Sequence, residues 1–210
     1  MRDKATLPST HEVDSRHGYA IRKLGLSQLL LMSLAILFTA TAANPTDAAT
    51  GGLIHVRLKD RLDRPVDGYC FDILGTGSHL RLDLPLFAHN CKGGATPDSA
   101  VIYTSLGQLV FPAANVCVTA FGVNDTVLPG TSVLLRPCEQ RTPFFETSNL
   151  QKFDHMENGQ IKLRGSELCL AVGNESSSTY SPSDRWRVLS LQSCTSTALS
   201  HSAWERVPLR

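Results

Sequence analysis

The chain has 210 residues, 42% of them hydrophobic, and a formal net charge of +1. That near-neutral balance gives no electrostatic reason to expect nucleic acid or an anionic membrane surface as partner, and the length suits one or two domains with a core of ordinary size. No G-x-S-x-G, H-E-x-x-H, P-loop or complete G-x-G-x-x-G occurs, so neither an enzyme nor a cofactor is expected from motifs.

The first element in chain order is the uncharged stretch "LGLSQLLLMSLAILFTATAANPT", residues 24–46, directly behind Arg22 and Lys23. A basic flank, an apolar run and then Ala40-Thr41-Ala42 form the pattern of a secretory signal peptide, with cleavage expected near Ala42 or Ala43. The strongly apolar part, Leu24 to Phe38, is 15 residues, short for a hydrocarbon core of roughly 30 Å. An uncleaved signal-anchor is the alternative, because the uncharged stretch reaches 23 residues. Either way residues 1–49 are a targeting segment with a short linker, and the domain at 50–210 lies outside the cytoplasm: secreted, periplasmic or extracellular. A membrane is a partner only if the segment stays uncleaved.

From Ile54 onward the pattern is β. "LIHVRL", "YCFDI", "LRLDLPLF", "GQLVF", "NVCVTA", "SVLLR", "GQIKL", "LCLAV" and "RVLSL" alternate apolar and polar residues or nearly so. Turn chemistry separates them: "GTGS", "KGGATP", "GVNDT", "LPGT", "ENG", "SPSD". The basic stretch "RLKDRLDR" (Arg57 to Arg64) carries two aspartates among its four basic residues and reads as a solvated strand and loop. Nothing after residue 50 keeps a 3.6-residue period.

All six cysteines follow the targeting segment: Cys70, Cys91, Cys117, Cys138, Cys169 and Cys194. An even number in an oxidising compartment points to disulfides, and six cysteines allow fifteen pairings. No C-x-x-C occurs, which argues against a zinc or redox site, and no metal is expected. Spacing narrows the choice. Successive couples lie 21, 21 and 25 residues apart, and sixteen residues before the first cysteine of each stand Ile54, Val101 and Phe153. "LGQLVF" and "NGQIKL" recur at an offset of 52, and Trp204 follows Cys194 by ten residues, as Val101 follows Cys91. The chain therefore reads as three repeats, 54–100, 101–152 and 153–203, with a closing strand at 204–208. Units of about four short strands cannot bury their apolar faces alone. The compact solution closes them around one axis, with the strand at Trp204 completing the ring against Ile54: an all-β fold, a β-trefoil. Trp204, Trp186, Phe153 and Phe111 are the bulky residues expected in its core. The disulfides are then local, Cys70–Cys91, Cys117–Cys138 and Cys169–Cys194, each closing a loop of about 20 to 25 residues worth roughly 3 kcal/mol.

Cysteine followed by apolar-x-apolar, a second cysteine some 20 residues later, and the triplets "SAV" (Ser99 to Val101), "QKF" (Gln151 to Phe153) and "SAW" (Ser202 to Trp204) in the place of a Q-x-W strand resemble the ricin-B-type lectin domain over about residues 52 to 208. The resemblance implies shallow sugar pockets, one for each unit. Each would have an aspartate two residues after the first cysteine, an aromatic two before the second, and a polar amide before the Q-x-W strand. A carboxylate accepts hydrogen bonds from adjacent sugar hydroxyls, and a flat ring covers the C–H face of the pyranose. In the first unit these places hold Asp72, His89 and Asp98, with Phe87 sharing the face of His89. In the second they hold Thr119, Arg136 and Leu150, and in the third Ala171, Gln192 and His201. Without a carboxylate, those two units are expected to be structural.

Three rival readings bear on the first unit. Asp72 precedes a Gly-x-Gly turn, where an aspartate commonly hydrogen-bonds nearby amides with no ligand involved. Two carboxylates could take Ca²⁺. The same pair could be posed as a glycosidase couple, but a shallow, wet rim is poor at raising one carboxylate's pKa, so catalysis is not expected. The expectation is an exported carbohydrate-binding module with one shallow sugar site, its partner a glycan or glycoconjugate. The alternative is a trefoil that serves as a protein-interaction or structural module with a vestigial pocket, gripped for example at "GNESSSTYSPSD", residues 173–184.

Overall fold

The computed structural model of the protein describes residues 51–142 and 145–209. The apolar segment 24–46, with its expected cleavage or anchoring, lies outside them.

Fifteen short strands make up almost all the regular structure of the described residues. The first unit supplies β1 (Ile54–Leu58), β2 (Tyr69–Asp72) and β3 (Phe87–Asn90). The second supplies β4 (Ile102–Tyr103), β5 (Leu109–Phe111), β6 (Val116–Ala120) and β7 (Val133–Pro137), then the small hairpin β8 (Arg141–Thr142) and β9 (Phe145–Glu146). The third has β10 (Phe153–His155), β11 (Ile161–Leu163), β12 (Leu168–Val172), β13 (Ser177–Ser178) and β14 (Arg185–Ser193), and β15 (Trp204–Pro208) closes the chain. One helical turn, Leu199–Ser202, precedes β15.

The register shows how the units correspond. Arg57 faces Cys70 across β1 and β2, Val110 faces Cys117 across β5 and β6, and Lys162 faces Cys169 across β11 and β12. The backbone bonds Val101 N–H to Ile54 O (2.9 Å), Phe153 N–H to Gly107 O (2.8 Å) and Trp204 N–H to Gly159 O (2.8 Å) repeat the same correspondence. Val101, Phe153 and Trp204 are therefore equivalent, and all three are fully buried. Ile54, in contrast, is level with Gly107 and Gly159. β1 holds the second strand's place in its unit, and the first place is filled by β15, paired with β1 from Ile54↔Pro208 to Leu58↔Trp204. The count of sixteen that aligned Ile54 with Val101 and Phe153 is met by another route. A longer loop, 59–68, joins β1 to β2, where 112–115 and 164–167 suffice in the other units. The first unit thus begins at the far end of the sequence, and the fold closes only when β15 is in place.

The core fills by the period-two rule. Val56 and Leu58, Leu109 and Phe111, and Ile161 and Leu163 point inward from the three second strands, joined by Phe71, Val118 and Leu170 from the strands bearing the first cysteines. Trp204 packs edge-on to Phe71, ring centroids 4.6 Å apart, and donates its indole N–H to Leu170 O at 2.8 Å. Cys70–Cys91, Cys117–Cys138 and Cys169–Cys194 are all formed, one within each unit. This is a β-trefoil with three local disulfides, and such bridges belong to an oxidising environment.

One strand departs from the threefold pattern and matters for the site. β14 is nine residues long. Its second half pairs with β12 inside its own unit, while Trp186 to Val188 pair with β3 of the first unit. Trp186 is half-buried and does not join the core: it lies on the part of β14 that pairs with β3 rather than with β12.

Candidate functional site

The first-unit residues are assembled by the turn after Cys91. Ser99 N–H and Ala100 N–H both reach Thr96 O, and Ile73 N–H, just past the end of β2, donates to Asp98 O at 2.8 Å. The turn therefore lays Asp98 against Asp72, 26 positions earlier in the chain. Both are nearly inaccessible, at 2% and 3% exposed. Between them lies Lys92. Its Nζ is 2.7 Å from Asp72 Oδ2, and it also donates to Asp98 Oδ2. The network continues from Thr96 Oγ1 to Ser99 Oγ at 2.6 Å, and from Ser99 Oγ to His55 Nε2 at 3.1 Å.

Three charges in so dry a place do not titrate alike. Burial pushes Asp72 up to about 7, with the Lys92 charge only partly offsetting it. Burial also opposes ionisation of Asp98, yet hydrogen bonds from Lys92 and Thr96 hold its carboxyl below the ordinary range. Desolvation works against the Lys92 ammonium too, but its two carboxylates keep it charged. One cation shared by two acids satisfies one fully, and the excess proton affinity settles on Asp72. Asp98 Oδ1 is buried without a hydrogen-bond partner.

His89 and Phe87 come to the same face. In the ladder β2–β3–β14, Cys70, His89 and Trp186 form one cross-strand row and Asp72, Phe87 and Val188 the next. Cross-strand partners, and residues two apart on a strand, share a face. The Phe87 ring stands perpendicular to His89 at 5.9 Å and to Trp186 at 6.1 Å. Burial lowers the pKa of His89, which keeps the imidazole neutral. Beyond Phe87 opens an apolar groove of about 480 Å³, whose lining includes Leu74, Leu84, Pro85, Phe87, Trp186 and Val188.

The structure thus brings Asp72, Asp98, His89 and Phe87 into one neighbourhood, but the group between the two carboxylates is the Lys92 ammonium, on a side chain 30% exposed. Lys92 stands where a cation between the two acids would stand, and among the described residues no three His, Cys, Asp or Glu side chains gather as a metal site. Sequence reasoning passed over Lys92. Its signal is visible afterwards as a lone basic residue next to Cys91 and six before Asp98.

The other two units differ from each other. In the second, Thr119 is buried, donates to Cys117 O at 2.9 Å and accepts from Gln151 Nε2, while Leu150 is in the core and Arg136 is exposed. In the third, Ala171 is fully buried, whereas Gln192 and His201 line a polar groove of about 520 Å³ together with Asn174, Ser190 and Thr197.

No family model matches this chain, and no curated protein matches it by sequence. Solved structures do. A solution structure of an mdaA-1 domain is similar at a TM-score of 0.52 and 15% identity, over 75% of this chain and 90% of that one. An agglutinin from Abrus precatorius is similar at a TM-score of 0.52 and 18% identity, over 76% of this chain and 49% of the agglutinin, so the chain spans about half of its length. The β-trefoil lectin of a Vibrio vulnificus hemolysin/cytolysin, solved with N-acetyl-D-lactosamine bound, gives a TM-score of 0.47 at 11% identity, over 77% of this chain and 97% of that one. At these identities the likeness, carried by the first two, is one of fold.

Proposed function

We propose that the domain is an exported carbohydrate-binding module of the ricin-B type, with one shallow sugar site in its first unit, built from Asp72, Asp98, His89 and Phe87 around Lys92. The observation that carries the reading is the placement of Lys92. An ammonium has three donors. Two are taken by Asp72 and Asp98, and the third is left for an oxygen arriving from solvent. A donor clamped between buried carboxylates is already immobilised, so a ligand that accepts from it does not have to order a flexible lysine. His89 and Phe87 stand beside it with ring surface for the C–H face of a pyranose.

Binding fits this arrangement better than catalysis. Glycoside hydrolysis needs one carboxyl free to give a proton and another free to attack or activate water. Here burial does raise Asp72 to about 7, contrary to the expectation for a shallow, wet rim, but both carboxyls are nearly inaccessible and held at Lys92, which leaves neither free to reach a glycosidic bond. The three disulfides and the apolar segment at 24–46 favour export, and one small site predicts weak binding, roughly sub-millimolar to millimolar.

The test is competition. Binding of the protein to immobilised glycoconjugates should be displaced by free sugar and abolished in Asp72→Ala, and neither Ca²⁺ nor a chelator should change it, because Lys92 stands between the acids. Binding that free sugar does not displace and Asp72→Ala does not weaken would instead mark a protein-interaction module.

A further inference from the structure

Resting on that reading of the first unit, we infer that its ligand is a glycoside with an apolar aglycone, the sugar ring at Lys92 and the aglycone in the groove lined by Leu74, Leu84, Phe87, Trp186 and Val188. The two places are neighbours on one face of the sheet. Asp72, Phe87 and Val188 form one cross-strand row, so the polar cluster and the far wall of the groove lie two strand spacings apart, about 10 Å. That is the span of a monosaccharide with the first atoms of whatever it is linked to. Phe87 belongs to both, one neighbour being His89 on the sugar side and the other Trp186 on the groove side.

The lining decides what the groove accepts. Ser132 and Thr179 bring the only side-chain hydroxyls, against eight apolar or aromatic side chains. A sugar ring placed there would lose water from several hydroxyls without replacement partners, at a cost for each one. An alkyl or aryl group loses nothing polar. At about 480 Å³ the groove is in the size range of small-molecule sites, large enough for several methylenes or a ring. Val188 is 50% exposed on its wall, an apolar surface left open to water in the absence of a ligand.

The two tryptophans supply the readout. Trp204 is fully buried in the core, whereas Trp186 lines the groove, so a change in emission on binding reports groove occupancy. The full chain is titrated with methyl and octyl β-glycosides of galactose, glucose, mannose and N-acetylglucosamine, below micelle formation, and with the sugar-free octyl ether of triethylene glycol. For at least one sugar the octyl glycoside should bind roughly 60- to 200-fold more tightly than the methyl glycoside, as expected for three or four methylenes leaving water, with a blue shift of Trp186 emission. Val188→Glu, at an exposed position that tolerates a charge, should reduce that ratio to within about threefold of unity.

Equal affinity of the methyl and octyl forms would overturn the inference while leaving the sugar site standing. The ether binding as tightly as the octyl glycoside would overturn it in favour of a free-standing apolar site, one that suits a protein side chain. Binding of the ether alone, with no methyl or octyl glycoside bound, would remove the sugar reading itself.

Discussion

Lys92 decides what the first unit can hold, and its removal should be felt at once. Lys92→Met leaves two carboxylates buried without their cation, and breaking a buried pair in this way costs about 3 kcal/mol or more. Urea unfolding at pH 7 should show that loss, and at pH 4, where protonated acids no longer need the lysine, much of it should disappear. Asp72 carries the opposite sign from an ordinary ion-paired aspartate. Its folded pKa, about 7, lies above the unfolded value of 3.8, so between those limits the folded chain holds more protons at this group. Stability from Asp72 is therefore present in full below pH 4 and falls as pH rises to and past 7. Asp72→Asn keeps the shape without the charge. Its stability relative to wild type should rise between pH 4 and pH 8 by a few kcal/mol, measured by urea titration across that range. A flat difference would mean that Asp72 is ionised throughout and that Lys92 compensates it completely.

Among the elements, β15 matters more than its place at the end of the chain suggests. It occupies the first strand's place of the first unit and carries Trp204, with Phe71 against its face and Leu170 O on its indole. Trp204→Ala should cost about 3 to 5 kcal/mol in urea unfolding, and a chain ending at Ser202 should fail to fold. The β-alternation, the three local disulfides and the equivalence of Val101, Phe153 and Trp204 were legible in the sequence, because strand period and cysteine spacing are local signals. The place of Ile54 was not. A longer loop and a displaced first strand offset each other in the count, and only the register between strands separates them. Lys92 was passed over, and Trp186 was expected in the core, for a related reason. What each one touches is set by long-range approach, of Asp98 to Asp72 and of β14 to β3, and local sequence pattern does not encode either approach. Lack of a carboxylate at Ala171 does not close the groove around Gln192 and His201, because the long loop 173–184 and the turn before β15 still stand apart.

At the scale of the whole molecule, a trefoil repeats its frame three times but not its chemistry. The first unit has a clamped ammonium beside aromatic rings, the second buries Thr119 and Leu150 in the matching places, and the third has a polar groove around Gln192 and His201. A single shallow site binds weakly, and useful strength then comes from presenting several copies together, which multiplies avidity without any new contact. Clustering the protein on a tetravalent carrier should raise apparent affinity for a glycan-coated surface by at least about a hundredfold over the monomer. The most direct measurement is a glycan array probed with that tetravalent protein, wild type beside His89→Ala. Wild type is expected to recognise a restricted set of glycans, and the variant, folded by circular dichroism, none of them. Wild type binding nothing on the array, or both proteins binding alike, would contradict a sugar site in the first unit.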